Sequence, residues 1–173
     1  MIQIRNLNRN DAAWYRQLRL KALRSDPDAF LSTYETEARK ELSDFDWEIR
    51  SMAQAPIFGY LGYFDDDQLK AYLQISKTGL IKQNHICLIH NLYVDADFRK
   101  LGIGRKLLTE VINRIKTQTP EIEKILLSHN GKNQIGHEFY QSLGFTTIAT
   151  KKNVIKYQGI YDDEVEMELN LKN

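Results

Sequence analysis

Gly102 and Gly104 stand one residue apart inside the stretch Leu92-Tyr93-Val94-Asp95-Ala96-Asp97-Phe98-Arg99-Lys100-Leu101-Gly102-Ile103-Gly104-Arg105. An apolar run that stops at a basic Gly-x-Gly turn and opens onto an amphipathic helix makes an anion site. The first amides of a helix have no partner within it and sit at the positive end of its dipole, and glycines let a phosphate approach the backbone. Across residues 99–116, six basic residues (Arg99, Lys100, Arg105, Lys106, Arg114, Lys116) are set against one acid, Glu110. In a chain whose net charge is only +1, that clustering points to a phosphorylated ligand. Taken alone, the turn also fits a plain solvated basic helix. Two familiar phosphate loops do not fit. Gly104 is followed by Arg105-Lys106-Leu107 rather than Lys and Ser or Thr, and Leu107 stands where a dinucleotide fingerprint needs its third glycine.

Other reactive side chains read as structural. Cys87 lies within the most apolar run, where packing is a better account than nucleophilic attack. His85, His129 and His137 have no spacing with Cys87 that fixes a zinc geometry, so no metal is expected. Asp65-Asp66-Asp67 lacks the glycine and downstream glutamate of a calcium loop and falls where a hairpin needs its turn.

The Arg99-x-x-Gly102-x-Gly104 turn resembles the acyl-CoA loop of the GNAT N-acetyltransferase superfamily, Arg/Gln-x-x-Gly-x-Gly/Ala between a strand and a helix. A second family pattern, Asn-x-x-Ala-x-x-Phe-Tyr-x-x-x-Gly-Phe, is similar to Asn133-Gln134-Ile135-Gly136-His137-Glu138-Phe139-Tyr140-Gln141-Ser142-Leu143-Gly144-Phe145, with Gly136 in place of Ala. The resemblance implies that the amides of Lys100, Leu101, Gly102, Ile103, Gly104 and Arg105 cradle the pyrophosphate of acetyl-CoA. It also implies that the backbone of Leu92, Tyr93 and Val94 pairs with the pantetheine arm like an added strand, in a gap where two neighbouring strands splay apart. Tyr140 would protonate the departing thiolate, and Asn133 would bond the pantetheine or cap its helix. His90 stands where many family members carry an acid; as a neutral imidazole it would take the amine proton, and packing against a neighbour is its alternative role. Tyr34 and Glu35, after the first helix, are candidates for the acceptor pocket, although a loop carboxylate is commonly just solvated.

These residues need elements to hold them. Residues 2–5 alternate as a strand, and a helix capped near Asn10-Asp11 carries Trp14, Leu18 and Ala22 on one face before Pro27. A second helical stripe, Ala38, Leu42, Phe45, Ile49 and Met52, runs on towards Pro56. Residues 57–64 and 69–76 form a hairpin, and residues 86–94 are apolar enough for a central strand covered on both faces. Leu107, Leu108, Val111, Ile112 and Ile115 share a helix face before a strand at 122–127, a strand-helix-strand crossover with parallel strands. A helix from 133 to 143, a stop at Gly144, and strands at 145–150 and 165–171 complete the order. The expected fold is one mixed α/β domain spanning 1–173. Its sheet is twisted and mostly antiparallel, with helices on both faces and a central βαβ unit, as the resemblance implies.

At 173 residues the chain suits one core. Near-neutral charge disfavours nucleic acid, and no apolar run approaches the ~20 residues of a membrane helix. One cysteine and a short polar N-terminus make a cytoplasmic location the expectation. The expected activity is direct acetyl transfer from acetyl-CoA to a primary amine of a small molecule or peptide. A catalytically silent acyl-CoA-binding sensor is the alternative, and a homodimer is the default assembly.

Overall fold

A computed structural model describes residues 1–53 and 57–172. The chain runs β1 (Ile2–Asn6), α1 (Ala12–Ser25), α2 (Tyr34–Glu37), α3 (Leu42–Met52), β2 (Gly59–Asp65), β3 (Gln68–Lys77), β4 (Ile86–Val94), α4 (Ile103–Gln118), β5 (Lys124–Asn130), α5 (Gln134–Gln141), β6 (Thr146–Tyr157) and β7 (Ile160–Asn170). Seven strands make one sheet in the order β1-β2-β3-β4-β5-β7-β6. Every neighbouring pair is antiparallel except β4 and β5, which the α4 crossover makes parallel. Pro56, the expected break before the hairpin, lies outside the described residues.

Helices pack on both faces of the sheet. On one, Leu107, Leu108, Val111 and Ile115 of α4 are fully buried against Leu73, Cys87 and Ile125. Each such aliphatic chain removed from water contributes about 1.5 to 3 kcal/mol. On the other, Tyr15, Leu18 and Ala22 of α1 and Phe45 and Ile49 of α3 pack on Tyr60, Tyr72 and Tyr93. Tyr15 therefore takes the inner position expected for Trp14, which is 40% exposed. The second helical stripe is broken between α2 and α3. Asp44 accepts the Glu41 amide at 2.8 Å and starts α3 afresh, so Ala38 and Phe45 belong to different helical segments.

Two hairpins turn on two residues with positive φ, the geometry that matches strand twist: Asp66 and Asp67 (46° and 62°), and Gln158 and Gly159 (48° and 83°). The second extends the expected terminal strands through residues 151–164. That extension is held by cross-strand ion pairs, Lys151 with Glu164 and Glu166 and Lys152 with Asp163, rather than by apolar alternation.

Strand β4 corrects one expectation. It is not covered on both faces, because Ile86 and Leu88 are only half-buried and His90 is exposed. Asn91 has φ 55°, and the register steps from Gln74↔His90 to Tyr72↔Tyr93, leaving two residues opposite one. This bulge reverses the alternation, so Cys87 and Ile89 point to α4 while Tyr93 joins the α1 core.

Candidate active site

The parallel pair carries four rungs only, Ile86↔Lys124 to Ile89↔Leu127. Beyond them β4 continues to Val94 and β5 to Asn130 without pairing, so the strands part at the level of His90. The gap opens beside the turn that enters α4. There Lys100 (φ 63°) and Gly102 (φ 76°) are left-handed, and the Lys106 amide is the first to bond back into the helix, at 3.0 Å to the Gly102 carbonyl. The amides of Ile103, Gly104 and Arg105 thus have no intrahelical acceptor and carry the positive end of α4. A Cβ on Gly102 would meet nothing within 4 Å, and a Cβ on Gly104 would touch Phe139 at 3.4 Å and Val94 at 3.5 Å. This is an open backbone cradle with a packed back wall, and its residues fit a phosphorylated ligand. Leu101 sits 62% exposed on its rim.

Arg99 serves the loop from behind. Its guanidinium forks onto Asp26 at 3.0 and 2.6 Å, and its Nε donates to the Val94 carbonyl at 3.1 Å. Asp26 in turn is held below its usual carboxylate range by those bonds, which outweigh its partial burial. Lys21 repeats the tie one turn earlier, bonding Asp95 at 2.5 Å and Asp97 at 3.0 Å. The end of α1 is thereby clamped to the cradle, a role for Asp26 that no period in the sequence announces. Arg105 reaches the other way and donates to Ser142 Oγ at 2.7 Å, joining the cradle to α5.

On α5, Asn133 caps the helix by accepting the Gly136 amide at 2.9 Å. Gly136 is not a simple small-for-small exchange here, since a Cβ would come 2.5 Å from Asn133 Nδ2 and displace the cap. Tyr140 packs its half-buried ring against Phe139, Phe145 and His129 with centroids 5.4, 6.0 and 6.1 Å away. No hydrogen bond among the described residues occupies its hydroxyl, and burial pushes its pKa up to about 12.

His90 is the first β4 residue past the last rung. Alternating with Ile89, which faces α4, its side chain belongs to the α1 side of the sheet. There its Nε2 lies 3.2 Å from Ser76 Oγ, and partial desolvation lowers its pKa. His90 and Tyr140 therefore lie on opposite faces of the sheet. The Tyr93 hydroxyl is spent on Ser25 Oγ at 3.0 Å, while Leu92 and Val94 turn towards the α4 side.

Tyr34 and Glu35 line a cleft of about 530 Å³ between residues 27–35 and the β6–β7 hairpin, with Asn130 from the end of β5 at its floor. Asp28, Glu35 and Asp162 set three carboxylates in its walls beside Lys132 and Lys156, and Phe30, Leu31 and Ile160 add apolar surface. The Tyr34 hydroxyl accepts from Arg24, whose guanidinium stacks 4.0 Å from the Tyr34 ring centroid. The hairpin half of this cleft was not legible in the sequence. Among the described residues, no group of three His, Cys, Asp or Glu side chains could hold a metal ion, and no helix is long and apolar enough to cross a membrane.

The sequence profile of the acetyltransferase (GNAT) family matches residues 20–145, which takes in the cradle, the gap and α5. The chain belongs to the GNAT family. Among curated relatives, N-alpha-acetyltransferase 50 of Danio rerio is 41% identical over 61 residues, 35% of this chain and 36% of that protein. The [Ribosomal protein bS18]-alanine N-acetyltransferase of Haemophilus ducreyi is 37% identical over 65 residues, 38% of this chain and 43% of that protein. These alignments thus span under half of each relative's length. Among solved structures, a GNAT-family acetyltransferase from Streptococcus pneumoniae superposes with TM-score 0.86 at 16% identity, covering 98% of this chain and 99% of that one. A Salmonella typhimurium protein solved with its cofactor acetyl-CoA gives TM-score 0.81 at 19% identity, over 100% and 95% of the two chains. At such identities the likeness speaks to the fold, a mixed α/β GNAT architecture.

Proposed function

We propose that this GNAT protein transfers acetyl from acetyl-CoA to a primary amine by direct attack, with no acyl-enzyme. The observation that carries the reading is the parting of β4 and β5 beside an open backbone cradle, with Tyr140 on one face of the sheet and His90 on the other. Lys100, Leu101, Gly102, Ile103, Gly104 and Arg105 would hold the pyrophosphate through their amides, and the edge of Leu92, Tyr93 and Val94 that does not pair with β5 would bond the pantetheine. Acetyl-CoA supplies the acetyl group as a thioester whose sulfur leaves as thiolate.

The chain's own groups then handle two protons. Tyr140, raised to about 12, stays protonated at every ordinary pH and holds a hydrogen with no competing partner among the described residues. A sulfur leaving as thiolate beside this phenol is the group its proton would reach. His90, with its pKa lowered, is neutral at pH 7 and able to accept the amine's proton directly or through water. Buried Cys87, pushed up to about 12, is not a nucleophile. The carboxylates of the cleft favour a cationic acceptor, which Tyr34 and Glu35 would help seat. The cleft admits either a small amine or a peptide amine; two relatives are named as acetylating the alanine of a ribosomal protein, which supports including peptides. The test is a panel of both, assayed for acetyl-CoA-dependent release of free thiol. Tight CoA binding with no thiol released by any amine would overturn the enzyme reading in favour of a silent acyl-CoA-binding sensor.

A further inference from the structure

The end of β5 carries a histidine that this chemistry leaves unused. His129 is 7% exposed, its Nδ1 is 2.8 Å from the Asn130 carbonyl oxygen, and its Nε2 is 3.0 Å from Nδ1 of His137 on α5. A carbonyl oxygen only accepts, so Nδ1 of His129 carries the hydrogen. In the neutral ring Nε2 is then a lone pair, and Nδ1–H of His137 donates to it. One backbone oxygen thereby fixes both tautomers. The same oxygen accepts the Asn133 amide at 2.9 Å, so the β5 end, the α5 cap and the histidine pair share one anchor.

His137 and Tyr140 are three residues apart and share a face of α5. The His129 ring meets both: edge-on to His137, with centroids 5.2 Å apart and planes at 71°, and nearly parallel to Tyr140, with centroids 6.1 Å apart and planes at 24°. Phe139 and Phe145 hold the other sides of Tyr140 by contact alone. Since no hydrogen bond among the described residues locates the Tyr140 hydroxyl, the ring's position decides where that proton points. Of the three rings around it, His129 is the one pinned by hydrogen bonds. We infer that His129 and His137 are positioning residues for Tyr140, locking α5 against the end of β5 so that the phenol is aimed into the gap. The inference rests on the acetyl-transfer reading above.

Asn at 137 can place an amide N–H where imidazole Nδ1–H stood, and Leu cannot. His137→Leu is expected to lower kcat roughly 10- to 100-fold while KM for acetyl-CoA stays within about twofold, the pattern of a misplaced acid. His137→Asn should restore kcat to within about threefold of the native rate, because the donor to His129 is retained. In a Tyr140→Phe background, His137→Leu should cost no further rate. Ring-nitrogen NMR of the native protein at neutral pH should show His129 protonated at Nδ1 and not at Nε2. An unimpaired Leu variant, an Asn variant as slow as Leu, losses that multiply in the double variant, or the opposite tautomer would each overturn the inference. Tyr140→Phe running at the native rate would overturn the acid reading and this inference together. An impaired Tyr140→Phe with an unimpaired His137→Leu would overturn only the inference.

Discussion

Replacing Tyr140 by Phe separates catalysis from packing more cleanly than any other change at this site. The ring is held by His129, Phe139 and Phe145, and a phenylalanine keeps all three contacts. The hydroxyl makes no hydrogen bond among the described residues, so its removal strands no buried partner. The usual loss of ~1 kcal/mol or more for a deleted buried hydrogen bond does not apply, and stability should stay within about 0.5 kcal/mol. Turnover is another matter, because only the transition state has a sulfur gathering negative charge. Loss of a general acid is commonly worth ~10² to 10⁴ in rate, or about 3 to 5 kcal/mol in the barrier. Thiol release with saturating amine measures turnover, calorimetry measures acetyl-CoA affinity, and a thermal melt measures the fold. The expected triad is a rate loss of that size, acetyl-CoA affinity within about twofold, and an unmoved melting point. A variant that turns over like the native protein would refute the assignment and leave Tyr140 a packing residue. In the native protein a phenol at about 12 also predicts no basic limb from this group below pH 11, since its proton is present below the pKa and lost only as pH rises through it.

The two cradle glycines should fail differently. Gly102→Ala places a Cβ in open space at φ 76°, costing roughly 1 to 2 kcal/mol of backbone strain, and should cut CoA affinity at least ~10-fold in calorimetry; Gly104→Val drives methyls into Phe139 and Val94, costing about 1 to 3 kcal/mol as overpacking and lowering the melting point. Asp26→Ala releases Arg99 from a partly exposed pair, so stability should change by less than about 1 kcal/mol while CoA affinity falls several-fold; unchanged affinity would show that the clamp on the cradle is dispensable. His90 must be neutral to accept a proton and its pKa is lowered, so activity that depends on it should hold at neutral pH and fall only below about 6.5. His90→Gln should lose most rate with the most basic amine, and equal losses across acceptors of different pKa would remove it as the base. Cys87, fully buried and pushed up to about 12, should resist a thiol reagent until the protein is denatured, and prompt native labelling would contradict the packing.

Much of this site was legible one residue at a time. The limits of β4, the glycine turn, the amphipathic face of α4, the Asn133 cap and the Gly144 stop are local properties, set by apolar period, by φ and by the partners that a helix end lacks. The choice of Tyr15 over Trp14 for the inner face of α1 was not local, because both lie near the apolar stripe and the sheet beneath selects between them. Nor was the bulge at Asn91, which moves Tyr93 to the α1 side and shows only in the register against β3. The β6–β7 hairpin hid because ion pairs between strands, not alternation within one, hold it together. Arg99 carried the right motif in sequence, but its partner Asp26 lies 73 residues away. Likewise the parting of β4 from β5 and the meeting of His129 with His137 and Tyr140 arise where separate elements converge. The sequence by itself determined which segments could form a cradle and which residues could carry protons. Only the tertiary structure decided which of them meet, because a hydrogen bond or a ring contact has directed geometry that register and packing set, while one-dimensional pattern records only period and propensity.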